Sequence, residues 1–470
     1  MKKKVILLGG SNSILVQGLQ KGLKECNNID FTNFALGATT SLQNLYEIIR
    51  KKNKQTIQEA DFIITESNIN DIGHYHCSIA IPIKTLIRNI YWLYEELYFL
   101  KKRILVLILP RKFNGEHLET INNAHRYCCE KYGFNLIDMQ DYYEKNNLFN
   151  FFQPFLDHQM NSIMKKLGEN IVNNLNLLNL CLDLNLKKTN PNFFICTLSD
   201  MYNEDVNLIL ESRCRKNSIF LEYTYRLDKD NKFYFKKKYI GYKLIAFHAW
   251  NEINKQDEVL SLHQQTLRQS SIVIKSLEKT VVKATSGIRL YHVLNDEIVI
   301  DEKTYVAFNS LNESVTEFSG GTPPNVDGIV QLNYIDIIDF LLIDDIANIV
   351  DDEEIVRLKN IKDIECKNNF NFLIPPITLY KEIIEEYNNT VIAKDINALK
   401  KDIIEKDQRL KKYSDRIKFL EEQINSLNNV SNRIAIQKLK NAELKQQLKN
   451  KKMEYFEQKI LLQKNKIKDM

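Results

Sequence analysis

At 470 residues the chain is too long for one ordinary domain, so two or three domains are expected. Its hydrophobic content of 44% excludes global disorder, and a net charge of +5 beside 65 basic and 60 acidic residues gives no sign of a nucleic-acid partner. The eight cysteines include no C-x-x-C pair, which argues against a zinc site or a disulfide scaffold and favours a reducing compartment. We predict no cofactor and no metal.

The N-terminus begins Met-Lys-Lys-Lys and continues with apolar residues, as a signal peptide does. Its apolar core spans only Val5 to Leu8, which is too short for the hydrophobic region of such a peptide. No run approaches the ~18 apolar residues of a membrane span. The expected location is therefore the cytoplasm.

Strands and helices alternate over residues 1 to about 180. Several of the strands are apolar without alternation, as in "RILVLIL", which is typical of a parallel sheet covered on both faces. Five such strand–helix units predict a three-layer α/β/α domain, doubly wound, at about 1–182. The predicted strands are Lys4–Leu8, Ile29–Ala35, Asp61–Glu66, Arg103–Leu109 and Phe134–Asp138, and the predicted helices are 12–25, 41–58, 79–101, 116–132 and 159–178.

The pattern changes at about residue 190. Aromatic and β-branched runs such as "SIFLEYTYRL" predict a mostly antiparallel β domain, sandwich- or jelly-roll-like, over 190–345. Its aromatic residues are interpreted first as core and cross-strand pairs, and a sugar-binding platform is the alternative. These residues are Tyr223, Tyr225, Phe233, Tyr234, Phe235 and Trp250. Residues 335–380 have a helical pattern, and a helical connector is predicted over 346–384.

Residues 385–470 predict a long charged helix without glycine or proline. An apolar stripe at heptad spacing indicates a coiled coil, interrupted by Lys406 and Ser431 and drifting in register after Ile434. We expect the coiled coil to make the protein a homo-oligomer. The last forty residues carry eleven Lys or Arg against four acids; a solvated helix face explains this, and contact with an acidic partner or a membrane surface is the alternative. The stripe comprises Leu399, Ile403, Leu410, Tyr413, Ile417, Leu420, Ile424, Leu427 and Ile434.

The first strand ends in Gly9-Gly10-Ser11, at the start of a helix. The glycines are compatible with simple strand–helix packing, with Ser11 or Asn12 as the helix N-cap. This stretch alone favours that interpretation, and the alternative is an exposed Ser11 at a helix N-terminus, which is a place for a nucleophile or an anion. The residues at the ends of the other strands distinguish between these interpretations.

Three further polar or glycine positions follow strands at the same predicted sheet edge: Gly37 after strand two, Asn70 after strand three, and His158 before the last helix. A serine hydroxyl needs a base to take its proton, and His158 is the candidate base. The oxyanion of acyl transfer needs hydrogen-bond donors, which the Ser11 and Gly37 N–H groups and the Asn70 amide could supply. The pattern predicts acyl transfer through Ser11.

These four residues occur in the order found in the SGNH/GDSL hydrolase superfamily, which residues 1–180 resemble. "GGSNS" resembles its first block, "NFALGATTS" the second, with Asn33 four residues before the glycine, and "NIND" the third. The resemblance implies a five-stranded α/β/α fold with Ser11 and His158 as catalytic residues and Ser11, Gly37 and Asn70 as the oxyanion hole. It implies an esterase, lipase or carbohydrate deacetylase, or an O-acetyl transferase.

The chain departs from the family pattern at three places. Gly10 replaces the aspartate of the first block, and Asn68 replaces the glycine of the third. The usual Asp-x-x-His has Phe155 in place of the aspartate. The imidazole of His158 could then be oriented by the adjacent Asp157, by Asp138 or by a backbone carbonyl, and reduced activity is a further alternative. Of the other histidines, His74 and His76 could line the pocket, and His117 and His125 are expected on the surface.

The favoured function is a serine ester hydrolase or O-acyltransferase that acts on an acylated carbohydrate or glycan precursor. The alternative is a catalytically weak or inactive SGNH-fold scaffold that acts through its β domain and coiled coil. A nucleotide-binding Rossmann domain is the third interpretation; it lacks G-x-G-x-x-G and an acid at the end of strand two.

Overall fold

The computed structural model describes residues 2–75, 81–112, 117–149, 151, 158–204, 210–251, 267–287, 289–319, 327–345, 350–362, 364–426 and 431–468. The chain forms two compact units, Met1–Tyr380 and Lys381–Met470. The finer boundaries predicted at 182, 190, 345 and 384 stay predictions.

The first unit begins with a parallel five-stranded sheet in the order β2-β1-β3-β4-β5. Its apolar strands are buried on both faces, because helices cover the sheet on either side. The predicted three-layer α/β fold is confirmed, and each strand lies within two residues of its expected ends. The strands are β1 Lys3–Leu8, β2 Ile29–Asn33, β3 Phe62–Thr65, β4 Arg103–Ile108 and β5 Asn135–Asp138.

The helices of this layer are shorter than predicted. The helix expected over 12–25 is broken before Gly18, and the one expected over 41–58 is broken at Arg50. The helices are α1 Ser11–Ile14, α2 Leu19–Lys24, α3 Ser41–Ile49, α4 Lys54–Glu59, α5 Asn68–Tyr75, α6 Ile83–Phe99, α7 Leu118–Tyr132, α8 Met139–Lys145 and α9 Asn161–Asn173.

Two glycines bring α2 and α9 into close contact. A Cβ added to Gly22 would overlap the Lys165 carbonyl, and one added to Gly168 would lie 2.6 Å from the Leu19 carbonyl oxygen. The two helix backbones therefore touch. This matters for the site because α2 follows the Ser11 segment and α9 begins just after His158.

Two further sheets follow, as the predicted mostly antiparallel β domain requires. One has the order β16-β13-β12-β15-β10-β7 with β17 beside β12, and the other β14-β11-β18-β9-β8 with β6 beside β18. Their strands are β6 Phe193–Cys196, β7 Tyr202–Asn203, β8 Ser212–Lys216, β9 Leu221–Asp228, β10 Lys232–Tyr234, β11 Lys243–Trp250, β12 Arg268–Lys275, β13 Thr280–Ser286, β14 Arg289–Val299, β15 Tyr305–Phe308, β16 Glu317–Ser319, β17 Val330–Gln331 and β18 Tyr334–Ile343.

The aromatic residues of the β region divide between core and surface. Phe233, Phe235 and Trp250 are buried, which confirms the core interpretation for these three, whereas Tyr223 is 56% exposed. The expected helical pattern from residue 335 is wrong. Tyr334–Ile343 is a buried strand that pairs with β9 and β11, because ten mostly apolar residues suit the centre of a sheet as well as a helix.

The β region packs directly on the helices of the α/β layer, and one hydrophobic core runs through both. Charged groups are buried at this contact. Arg50 donates two hydrogen bonds of 2.7 Å to the Glu222 carboxylate, and Tyr46 donates to Asp339 at 2.7 and 2.8 Å. All four side chains are at least nine-tenths buried.

The end of the first unit is only partly helical. Helix α10 spans Asp352–Asn360, and a short 3-10 turn covers Asn371–Leu373. Between them the chain runs beside β5, where the Leu136 N–H donates to the Asn368 carbonyl at 2.9 Å.

The second unit is built from two long helices, α11 Ile377–Ser426, which begins at the end of the first unit, and α12 Ser431–Lys468. Lys445 lies 2.7 Å from Glu421, and Lys406 donates to Gln458 at 3.4 Å, so the helices run antiparallel against each other. Of the predicted stripe, Ile417 is buried, and Tyr413 is 39% exposed with Lys451 of α12 over its ring. Homo-oligomerisation through this region stays a prediction. None of the described helices has the length and hydropathy of a membrane span.

Candidate active site

The turn after β1 is held by a buried carboxylate. Glu66, at the end of β3, accepts hydrogen bonds of 2.8 Å from the Gly10 N–H and from the Ser13 hydroxyl on the same oxygen. Its own N–H donates to the Leu8 carbonyl at 3.1 Å. Burial raises the pKa of Glu66. Sequence analysis missed this residue, although an acid directly after an apolar strand is an available signal.

Only glycine fits at positions 9 and 10 of this turn, because neighbouring side chains approach the backbone closely there. A Cβ added to Gly9 would lie 2.5 Å from the Ser13 hydroxyl oxygen and 2.8 Å from a Glu66 carboxylate oxygen. A Cβ added to Gly10 would lie 1.8 Å from the Asn70 amide nitrogen. An aspartate at position 10 therefore could not coexist with Asn70 in its present place. Ser11 is partly exposed, whereas Ser13 is fully buried and engaged with Glu66.

Asn70 lies on α5, which begins at the end of β3. Its amide nitrogen is buried and has no hydrogen-bond partner in the described part of the chain. A buried N–H group without a partner is costly, so such a group beside the turn of a candidate nucleophile is typical of a donor that serves a ligand or a reaction intermediate.

Helix α5 is held in place by its polar residues. Asp71 accepts hydrogen bonds from the Ser41 N–H at 2.9 Å and from the Ser41 hydroxyl at 2.6 Å. Asn68 exchanges two hydrogen bonds with the backbone of Leu109, at the end of β4. The asparagine that departs from the family pattern thus ties the ends of β3 and β4 together.

Gly37 comes close to Ser11 from the turn after β2. A Cβ added to Gly37 would lie 4.0 Å from the Ser11 Cβ and 3.0 Å from the Ile14 Cδ1. Asn33 supports the turn, since its amide donates to the Ser13 carbonyl at 3.0 Å and its oxygen accepts from the Ala35 N–H at 2.9 Å. Gly37 is followed by Ala38, whose φ of 55° is uncommon for a residue with a side chain.

His158 reaches the same edge through its neighbour. The Gln159 N–H donates to the Asn12 side-chain oxygen at 3.2 Å, and the Gln159 amide donates to the Pro110 carbonyl at 2.8 Å. The first of these bonds joins the residues that directly follow His158 and Ser11. The structure therefore brings the segments of Ser11, Gly37, Asn70 and His158 together, while their catalytic roles stay predictions.

The residues that the sequence offers to orient His158 lie in different places. Asp157, Phe155 and His76 lie outside the described residues. Asp138 accepts from Arg126 at 2.6 Å with one oxygen and caps α8 with the other, through the Asp141 N–H at 3.0 Å. Both of its oxygens are therefore engaged at a helix start.

The surface position expected for His125 is wrong. Its ring is buried, lies 2.8 Å from the Tyr94 hydroxyl and 3.3 Å from an Asp71 oxygen, and thereby supports α5. A polar helix side that faces a buried carboxylate cannot be distinguished from a solvent-facing side by periodicity alone. His117 is partly buried at the start of α7, with a φ of 68°.

Comparison with solved structures finds GDSL-type lipases and acylhydrolases, similar to the N-terminal part of this chain. A lipase from a goat rumen metagenome is 13% identical with a TM-score of 0.29, over 35% of this chain and 93% of its own. A lipase/acylhydrolase from Enterococcus faecalis has the same identity and TM-score, over 38% of this chain and 97% of its own. A GDSL-like lipase from Bacteroides thetaiotaomicron is 12% identical with a TM-score of 0.27, over 34% of this chain and 80% of its own.

No protein-family model matches the chain, and no curated protein matches it by sequence. The chemistry open to the site therefore follows from its own residues. A partly exposed serine at a helix start, a neighbouring histidine segment and a buried, unengaged amide are together the parts that acyl transfer needs.

Proposed function

We propose that the protein is a serine esterase of SGNH type that removes or transfers an O-acyl group, foremost O-acetyl, on a carbohydrate or glycan precursor. The Asn70 amide is the observation that carries the proposal. It is buried, it has no partner among the described residues, and it lies beside the turn that presents Ser11. The carbohydrate is supported only by the family resemblance.

In the proposed reaction the Ser11 hydroxyl attacks the acyl carbonyl carbon while His158 takes its proton. The oxyanion that forms is bound by the Ser11 and Gly37 N–H groups and by the Asn70 amide. The sugar hydroxyl leaves with the proton from His158, and the acyl group stays on Ser11. Water, activated by His158, then releases the acid; a second sugar hydroxyl in place of water gives transfer.

Labelling with a fluorophosphonate probe tests the proposal directly. We expect covalent modification of Ser11 and hydrolysis of p-nitrophenyl acetate, both abolished by Ser11→Ala. Ser13→Ala is the matched control, because that hydroxyl is buried and bonded to Glu66; labelling of Ser11 should persist in it. An unlabelled wild-type protein would refute the proposed esterase and favour a non-catalytic scaffold. Loss of labelling only in Ser13→Ala would instead refute the assignment of Ser11 as the nucleophile.

The acylated substrate is tested separately with a panel of O-acetylated sugars and short-chain lipid esters. Release of acetate from the sugars at a higher kcat/KM than from the lipid esters is expected. The reverse order would contradict the carbohydrate and leave the esterase intact.

A further inference from the structure

His74 lies on α5 one turn after Asn70, so the two residues share a side of the helix. Its Nε2 atom is 2.8 Å from the carbonyl oxygen of Ala38. A carbonyl can only accept a hydrogen bond, so Nε2 carries the hydrogen in this contact. The imidazole is partly buried and lies at the same edge of the sheet as Ser11.

The residue that accepts this bond directly follows Gly37. The turn that carries Gly37 belongs to the connection after β2, whereas Asn70 belongs to the helix after β3. The two proposed oxyanion donors therefore come from different elements, and neither element by itself fixes the distance between them. The positive φ of Ala38 costs free energy, so the turn needs outside contacts to keep its shape.

Asp71 and His74 both connect α5 to the segment after β2. Asp71 binds Ser41 at the start of α3 and is fully buried, so its removal would damage the core as well as the site. His74 binds Ala38 itself, next to Gly37, and lies partly in solvent. Its side chain can therefore be changed with less effect on folding.

The surroundings favour a neutral imidazole. Burial lowers the pKa of His74, although the hydrogen bond to Ala38 and the charge of Asp71 act in the opposite direction; the positive charge of Lys283 adds to the lowering. Lys283 comes from the β region, where it is buried and paired with Glu317 at 2.9 Å. A neutral ring donates from one nitrogen only, and the carbonyl of Ala38 selects Nε2.

We propose that His74 is a positioning residue of the oxyanion hole, which holds the Gly37–Ala38 turn at the distance from Asn70 that lets both donors bind one oxyanion. This inference rests on the proposed function. A misplacement of about 1 Å at such a site costs about 10²-fold in rate, so loss of the His74 bond should lower kcat and leave the binding of the ground state nearly unchanged.

Three substitutions test this role: His74→Ala, His74→Gln and His74→Asn. Glutamine can place an amide N–H near the position of Nε2, while asparagine is one carbon shorter and cannot. With p-nitrophenyl acetate we expect kcat to fall about 10- to 100-fold in His74→Ala and His74→Asn, with KM within about threefold. His74→Gln should recover most of the wild-type kcat.

Rates are divided by the fraction of protein that the fluorophosphonate probe labels at its end point, so that an unfolded fraction does not count as lost catalysis. Wild-type kcat in His74→Ala, an equal loss in all three variants, or a loss confined to KM would overturn the inference. Absence of Ser11 labelling in the wild-type protein would instead refute the proposed function and, with it, this role.

Discussion

Substitution of Gly10 by alanine should separate catalysis from folding. The backbone of Gly10 has φ −100° and ψ −145°, so an L-residue can adopt it and no left-handed conformation is lost. The added Cβ, however, would lie 1.8 Å from the Asn70 amide nitrogen and 2.9 Å from its carbonyl carbon. Since real Cβ contacts are essentially never shorter than 3.0 Å, the amide nitrogen must retreat by about 3.0 − 1.8 = 1.2 Å or more.

The expected loss follows from that displacement. Misplacement of a catalytic group by about 1 Å costs about 10²-fold, and removal of a whole oxyanion donor costs about 10²- to 10³-fold in kcat, which is about 2.7–4 kcal/mol. Gly10→Ala should therefore lower kcat by about 10²-fold. KM should stay within a few-fold, because the Asn70 amide acts on the oxyanion rather than on the bound ester.

The assay is steady-state hydrolysis of p-nitrophenyl acetate by Gly10→Ala, Asn70→Ala and the double variant. If the alanine acts by displacing Asn70, the double variant should be no slower than Asn70→Ala alone. Gly18→Ala is the matched control: its φ is −94°, and an added Cβ would meet nothing closer than 3.4 Å. Wild-type activity of Gly10→Ala, or losses that multiply in the double variant, would refute the reasoning.

The remaining predictions concern the buried charges and the C-terminal helices. Glu222→Gln should lower the free energy of unfolding in urea by about 3–5 kcal/mol, because it leaves the buried Arg50 without its closest carboxylate; a change below about 1 kcal/mol would contradict this. Burial raises the pKa of Asp339 from 3.8 to about 7. Between these pH values the folded protein therefore binds more protons than the unfolded chain. The free energy of unfolding falls as the pH rises through that window. The Tm of Asp339→Asn should therefore exceed the Tm of the wild-type protein by more at pH 8 than at pH 5. An equal Tm difference at the two pH values would show that the Asp339 carboxylate does not titrate between them. Light scattering should show that the full chain is an oligomer and that a chain truncated after residue 384 is not. A monomeric full chain at micromolar concentration would exclude association through 385–470.

The sequence by itself determined the α/β layer and the residues of its carboxyl edge. The strands β1, β3 and β4 are short apolar runs bounded by turn residues, and this is information that four to six neighbouring positions carry. Parallel topology then places the ends of all five strands at one edge, so Ser11, Gly37, Asn70 and His158 could be assigned to one place without coordinates. Helix ends were less well predicted, because the breaks at Gly18 and Arg50 interrupt otherwise continuous periodic patterns.

Only the tertiary structure decided how those residues are supported. Glu66 holds the serine turn across 56 residues of chain, and Gly10 is required by a side chain sixty positions away. Arg50, at the end of α3, is paired with Glu222 from strand β9. Such pairings depend on which surfaces meet after folding, and the periodic pattern of a short stretch of sequence cannot predict them. The same reason explains Tyr334–Ile343, whose apolar run fits a helix or a central strand equally well until β9 and β11 lie on either side of it.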